Sequence, residues 1–258
     1  MVRRFKEILA NNELCRVFQC GRIYAPPIID LFALAGGYHG FWFDQEHCGL
    51  TYKEVESAAL AARANGLDCI VRMAPTGYSQ ATQNLEAGVG GLMAARIESA
   101  AHAEEFVSWV KFAPRGSRGM NTSGRDANFT HLAQLEFAEK ANREHFVAIQ
   151  IETLGALRDI DAITANDAVD LVFVGPADLS QALGIQGQRN HAKVWEALEE
   201  VAKACKKYGK HWGIVPVDAA FADRCYDLGC RMITFGNDIN VFKAGITATK
   251  QAYASRFA

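Results

Sequence analysis

The feature that most constrains this chain is a regular alternation of short apolar runs with helix-patterned stretches. The runs are "RVFQCG" from Arg16, "GFWFD" from Gly40, "LDCIVR" from Leu67 and "GGLMAAR" from Gly90, then "HFVAIQIE" from His145, "VDLVFVG" from Val169, "HWGIVPV" from His211 and "CRMITFG" from Cys230. Each is continuous rather than alternating, as strands buried on both faces of a parallel sheet should be. The intervening segments carry helix punctuation. "TYKEVESAALAARANG" opens on a Thr able to cap and closes on a Gly, "VWEALEEVAKACKKYG" closes the same way, and "DAAFADRCYDLGC" opens on an Asp. About eight strand–helix units without a linker predict the α/β class and a single (β/α)8 TIM barrel spanning 1–258. A doubly wound open sheet is the alternative, but the early G-x-G-x-x-G turn it favours is absent.

Two segments interrupt the rhythm. Lys111 to Arg143 is long for one crossover and contains "PRGSRGMNTSGRDANF", which predicts a loop over one end of the barrel followed by a helix. The tail beyond Gly236 should hold the last helix, "NVFKAGITATKQAYASRF".

Charge and composition exclude several functions. The net charge is −2 with no Lys/Arg run, so neither nucleic acid nor an anionic membrane surface is an expected partner. No apolar run reaches the roughly 18 residues of a spanning helix, and "MVRRFKEILANNELCRVF" lacks the apolar stretch of a secretory signal. The seven cysteines are odd in number and none pairs as C-x-x-C, which points to a reducing, cytoplasmic setting.

Polar residues gather where the strands end, which in such a barrel is where active sites form. The second strand runs into Asp44, Glu46 and His47, the third into Arg72, the fifth carries Gln150 and Glu152, and the sixth leads to "GPADLS" with Asp178. Gln150 and Glu152 share one strand face and Ile149 and Ile151 the other. Two carboxylates, Glu152 and Asp178, facing one pocket repel unless a proton or cation lies between them, and a hard divalent cation would resolve this. The alternative is that Glu152 pairs with an Arg and Asp178 caps the following helix. His47 is a candidate general base that Asp44 could orient. Arg72 could neutralise an enolate or carboxylate, or form a salt bridge to Glu152 or Asp44. Cys48 adjoins His47, but neighbouring strand residues point to opposite sides, so it is expected to be a bystander. The Gly175-Pro176-Ala177 turn leaves the amides of Ala177 and Asp178 free for a substrate carboxylate, or is an ordinary turn.

"FDQEH", Arg72, "PRGSRG", "IQIET" and "FVGPADLSQALG" together resemble the HpcH/HpaI aldolase family of metal-dependent 2-keto-3-deoxy acid aldolases, in order and over most of the chain. The resemblance implies a lyase that cleaves a 4-hydroxy-2-keto acid to pyruvate and an aldehyde. It implies Glu152 and Asp178 as ligands to Mg²⁺, Mn²⁺ or Co²⁺, Arg72 on the enolate oxygen, and His47 backed by Asp44 as base. Gln150 and the Gly175-Pro176-Ala177-Asp178 turn would hold pyruvate. It also implies a homohexamer, a trimer of dimers, with the last helix (about 238–258) exchanged onto a neighbour. Related metal–enolate chemistry (decarboxylation, C–P or acyl-CoA cleavage) and a silent keto-acid-binding barrel are the alternatives. The chain departs from the family pattern at Glu86, Ala94-Ala95 and Met120 to Ser123. Tyr24, Asn121, Ser123 and Arg125 are candidates for the distal end of the substrate.

Overall fold

The computed structural model describes residues 2–257. Eight parallel strands close into a barrel in sequence order. They are β1 (Cys15–Cys20), β2 (Gly40–Asp44), β3 (Asp68–Met73), β4 (Gly91–Ala94), β5 (Phe146–Ile151), β6 (Leu171–Val174), β7 (His211–Ile214) and β8 (Cys230–Asn237). The helices are α1 (Phe5–Ala10), α2 (Pro26–Ala35), α3 (Tyr52–Ala64), α4 (Tyr78–Glu86), α5 (Ala100–Val110) and α6 (Gln134–Glu144), followed by α7 (Leu154–Arg158), α8 (Ile160–Ala165), α9 (Pro176–Ala182), α10 (Ala192–Tyr208), α11 (Ala219–Asp227) and α12 (Asp238–Ala252). All the apolar runs read from the sequence become strands, so the (β/α)8 barrel is the fold. No described helix is long and apolar enough to cross a membrane.

Two apolar layers follow from the period-two alternation of strand side chains. Phe41, Phe43, Val71, Ile149, Ile151 and Val174 belong to the layer between barrel and helices. Val17, Trp42, Ile70, Met93, Ala148, Phe173 and Met232 fill the barrel, whose lower end is sealed by Phe5, Ile8 and Leu9 of α1. The inward face then changes character along each strand. Trp42 is followed on that face by Asp44, Ile70 by Arg72, and Ala148 by Gln150 and Glu152. One face of each strand thus supplies core below and polar groups above.

Helix ends hold these strands in place. Thr51 forms a full capping box with Glu54 on α3, and Gly66 beyond it takes φ +72°, a left-handed value that favours glycine. Asp218 accepts from the amide of Phe221 at 2.8 Å to open α11. The long segment after α5 is irregular through 133 apart from a 3₁₀ turn at Arg125–Ala127, and α6 then leads into β5. It therefore starts and finishes at the N-terminal end of the barrel, and between these points Gly119 donates to the Tyr78 hydroxyl at the start of α4.

Candidate active site

Strand register brings the first group together. Asp44 sits directly across from Arg72 in the β2–β3 pairing, and its two oxygens accept from Nε at 3.1 Å and Nη2 at 2.6 Å of that guanidinium. The guanidinium also lies 4.8 Å above the Trp42 ring, a favourable cation–π placement. Burial alone would raise the Asp44 carboxyl, but Arg72 and the amides of His47 and Glu46 hold it below the usual carboxylate value. Asp44 therefore touches His47 only through the backbone, where Oδ1 accepts from the amides of Glu46 at 3.0 Å and His47 at 3.3 Å. This corrects the expected Asp44–imidazole pair: Arg72 is better placed for the carboxylate than a side chain three residues along.

Glu46 takes the place expected of Asp44. Its Oε2 lies 3.1 Å from Nη1 of Arg72 and 3.7 Å from Nε2 of His47. That oxygen is buried and its alignment leaves it without a hydrogen bond, while the His47 side chain is 59% exposed at the barrel mouth. An acceptor without a donor beside an accessible imidazole can orient the ring. Cys48 lies 3.6 Å from Asp44, and burial together with that carboxylate pushes its thiol up to about 11, which suits a bystander rather than a nucleophile.

The second group comes from β5, β6 and the turn after β4. Glu152 is 2% exposed. Its Oε1 accepts from the amide of Arg96 at 2.7 Å, and its Oε2 accepts from Nε2 of Gln150. Gln150 Oε1 is buried and has no partner. Burial is the main reason the Glu152 carboxyl is pushed up; the Arg96 amide opposes this, and the negative charges of Glu46 and Asp178 add to it. Asp178 lines the same cavity of about 440 Å³ as Glu152, together with Arg96, Glu98 and Arg158. Neither alternative read from the sequence occurs: Glu152 has no arginine side-chain partner among the described residues, and α9 is headed by Gly175 without a side-chain cap. Pro176 opens that helix, and its first intrahelical bond is Leu179 N–H to Gly175 O, so the amides of Ala177 and Asp178 are not used within the helix.

These residues fit a hard divalent cation. The available donors are oxygens only, Glu152, Asp178 and the orphaned Gln150 Oε1, which is the ligand type Mg²⁺ and Mn²⁺ prefer. Room is kept by Gly175, where a Cβ would come within 2.6 Å of Gln150 Nε2 and 2.7 Å of Glu152 Oε2. Among the described residues no three His, Cys, Asp or Glu side chains form a closed ligand set. Two carboxylates would leave the remaining positions to water and substrate, the usual arrangement for Mg²⁺.

The residues expected at the distal end of the substrate lie elsewhere. Asn121 donates to Glu86 at the foot of α4 at 2.8 Å, and Ser123 donates to Asn121. Arg125 packs against Gly88 ahead of β4, at the opposite end of the barrel from the strand C-termini, and Asn121 and Ser123 are held against α4 rather than in the cavity. Tyr24 packs edge-on against Phe43 in the outer layer. Two positioning residues escaped the sequence reading. Arg96 adopts φ +56° while its amide holds Glu152. Asp238, at the start of α12, accepts with one oxygen from the amides of Gly21, Arg22 and Ile23 at 2.9, 2.6 and 2.8 Å, and Arg22 in turn donates to the His47 carbonyl at 2.5 Å.

Comparison with known proteins yields consistent findings. A family model described as HpcH/HpaI aldolase/citrate lyase matches residues 42–244. The chain is 30% identical over 241 residues to a hydroxypyruvate/pyruvate aldolase of Pseudomonas aeruginosa, covering 93% of this chain and 88% of that relative. It is 30% identical over 211 residues to a 2-keto-3-deoxy-L-rhamnonate aldolase of Klebsiella pneumoniae, covering 81% and 78% respectively. The crystal structure of an HpcH/HpaI aldolase from Desulfitobacterium hafniense superposes with a TM-score of 0.89 at 30% identity, covering 96% of each chain.

Proposed function

The chain belongs to the HpcH/HpaI aldolase/citrate lyase family, and from that premise we propose that it is a carbon–carbon lyase cleaving a 4-hydroxy-2-keto acid, of the 2-keto-3-deoxy type, to pyruvate and an aldehyde. The observation that carries the reading is the set of buried, incompletely matched oxygens on Glu152 and Gln150 beside Asp178, at the C-terminal ends of the strands.

In the reaction, the substrate 4-hydroxyl loses its proton, the C3–C4 bond breaks to leave C4 as the aldehyde, and the electron pair moves onto the keto-acid half as an enolate, which gains a proton at C3 to become pyruvate. His47 takes the proton, with Glu46 at 3.7 Å stabilising the imidazolium that results. Arg72, fixed by Asp44 and Glu46, presents a permanent positive charge to the enolate oxygen. Gln150 and the amides of Ala177 and Asp178 orient the keto acid, and Gly175-Pro176 set the turn that presents those amides. Glu152 and Asp178 would hold a divalent cation, Mg²⁺, Mn²⁺ or Co²⁺, which supplies charge for the same developing enolate.

The test is pyruvate release from a panel of 4-hydroxy-2-keto acids, with each metal and with EDTA, alongside Mn²⁺ binding by electron paramagnetic resonance. Glu152→Ala should lose both Mn²⁺ binding and turnover. If it binds Mn²⁺ and releases pyruvate at the wild-type rate, the metal assignment is wrong. His47→Ala should lose retro-aldol turnover while still binding pyruvate. The panel also separates decarboxylation, C–P cleavage and acyl-CoA cleavage, none of which gives pyruvate with an aldehyde. Pyruvate binding without turnover on any member would favour a silent binding barrel.

The same reading extends to assembly. α12 leaves Val241, Phe242 and Ile246 exposed, Phe242 by 60%, and with Leu31 and Phe32 of α2 they line an apolar groove of about 550 Å³. Apolar surface of this kind marks an interaction site, and a second copy's last helix is the occupant proposed, in a hexamer built as a trimer of dimers. Phe242→Asp should shift the mass measured by light scattering to a smaller species. Seven free thiols, six of them buried, support a cytoplasmic setting.

A further inference from the structure

The N-terminal end of the barrel, remote from the site above, holds a second polar cavity of about 120 Å³. At roughly 30 Å³ per water, it has room for about four waters, or for one tetrahedral oxyanion. Its walls carry Arg4, Arg63, Arg125 and Lys140 against only Asp126 and Glu144. Two of these charges are already matched: Arg4 pairs with Asp68 at 2.8 Å, outside the cavity wall, and Asp126 pairs with the fully buried Arg118 at 2.5 Å. Glu144, whose own ion pair is with Arg143 at 3.7 Å, is left to face three cations.

None of Arg63, Arg125 and Lys140 has an ion-pair partner among the described residues. Arg63 donates only to the Gly88 carbonyl, at 3.4 Å, and Arg125 Nε is buried with no acceptor. Burial, and then the like charges of Arg4 and Arg125, push the Arg63 guanidinium down. Like charges gathered in a half-buried pocket are costly unless a counter-charge joins them. Two glycines keep the space open. A Cβ on Gly90 would collide with the Asp68 carboxylate, and one on Gly88 would come within 2.5 Å of Arg125 Cδ.

We propose that this cavity is a binding site for a small tetrahedral oxyanion, inorganic phosphate or a phosphate monoester, held between Arg63, Arg125 and Lys140. Guanidinium is well matched to such oxygens because its planar fork donates two parallel bonds. The anion would join the last turn of α3, the 3₁₀ turn at Arg125–Ala127 and α6, so binding should stabilise the barrel. It does not depend on the aldolase reading, since no lining residue belongs to that site.

The experiment is calorimetric titration of the whole protein with sodium phosphate, at ionic strength held constant with NaCl, together with thermal denaturation in the same buffers. Wild type should bind phosphate saturably and gain thermal stability that equal NaCl does not give. Arg63→Gln and Arg125→Gln should each weaken phosphate at least about tenfold and lose that gain, with pyruvate release unchanged. Lys140→Gln, on the half-buried face of α6, serves if either arginine variant fails to fold, and should weaken binding likewise. Glycerol phosphate binding comparable to phosphate assigns a monoester; binding by phosphate alone assigns the free ion. Absence of saturable binding, or binding of equal affinity in the variants, overturns the proposal.

Discussion

The Asp44–Arg72 pair lends itself to a quantitative test through Asp44→Asn. The substitution keeps an oxygen to accept from the amides of Glu46 and His47, but it turns the side facing the guanidinium into a neutral donor or a weaker acceptor. Arg72 is 7% exposed and would retain only the imperfectly aligned Glu46 at 3.1 Å. Breaking one member of a buried pair costs about 3–5 kcal/mol, and because Glu46 remains, the lower end, about 3 kcal/mol, is expected here. At roughly 2–4 °C per kcal/mol for a chain of this size, the melting temperature should fall by about 6–12 °C. Circular dichroism at pH 7.5 reads the shift. The sign of its pH dependence follows from Asp44 being held below the usual carboxylate value in the folded chain. Its stabilisation is complete above the unfolded carboxylate value of about 3.9 and is lost as pH falls through the lower folded value. The gap between wild type and variant should therefore close on acidification below about pH 4. Adding Arg72→Met to the variant should recover part of the loss, because the unpaired charge is then gone. A gap under about 1 °C at pH 7.5, or one that persists undiminished in acid, would refute the reasoning.

Gly175→Ala places a methyl group against Gln150 and Glu152 without straining the backbone, since φ is −96° there; Mn²⁺ affinity and turnover should fall by about a hundredfold or more, with the melting temperature nearly unchanged. Glu46→Gln removes the charge beside both His47 and Arg72, and kcat should drop by at least about tenfold with little change in KM, as measured by pyruvate release. With its thiol near 11, Cys48 is thiolate in only about one molecule in a thousand at pH 8, so iodoacetamide should leave turnover intact and Cys48→Ser should match wild type.

How much of this was legible in the sequence divides along a physical line. Strands and helices declared themselves because burial imposes a period on local sequence, and the inward placement of Gln150 and Glu152 follows from alternation alone. Partner choice across strands did not. Asp44 lies three residues from His47 but 28 from Arg72, and only the register of β2 on β3 makes the distant residue the partner. The role of Glu46 followed from that displacement and was equally hidden. Arg96 gave no signal, because it acts through its backbone amide in a left-handed conformation. The end of the barrel on which Arg125 lies was decidable in principle, since a segment between a helix and the next strand ends at that strand's start.

The joint at Asp238 carries a consequence for how this enzyme behaves in a test tube. One carboxylate oxygen gathers three amides of the loop after β1, and Arg22 of that loop holds the His47 carbonyl. Asp238 is also the first residue of α12, whose apolar side lies open. Whatever seats that helix therefore steadies the loop that holds the His47 carbonyl, and whatever unseats it loosens that loop first. With a second copy's last helix as the proposed occupant, specific activity should decline on serial dilution while the far-ultraviolet spectrum remains that of the folded barrel.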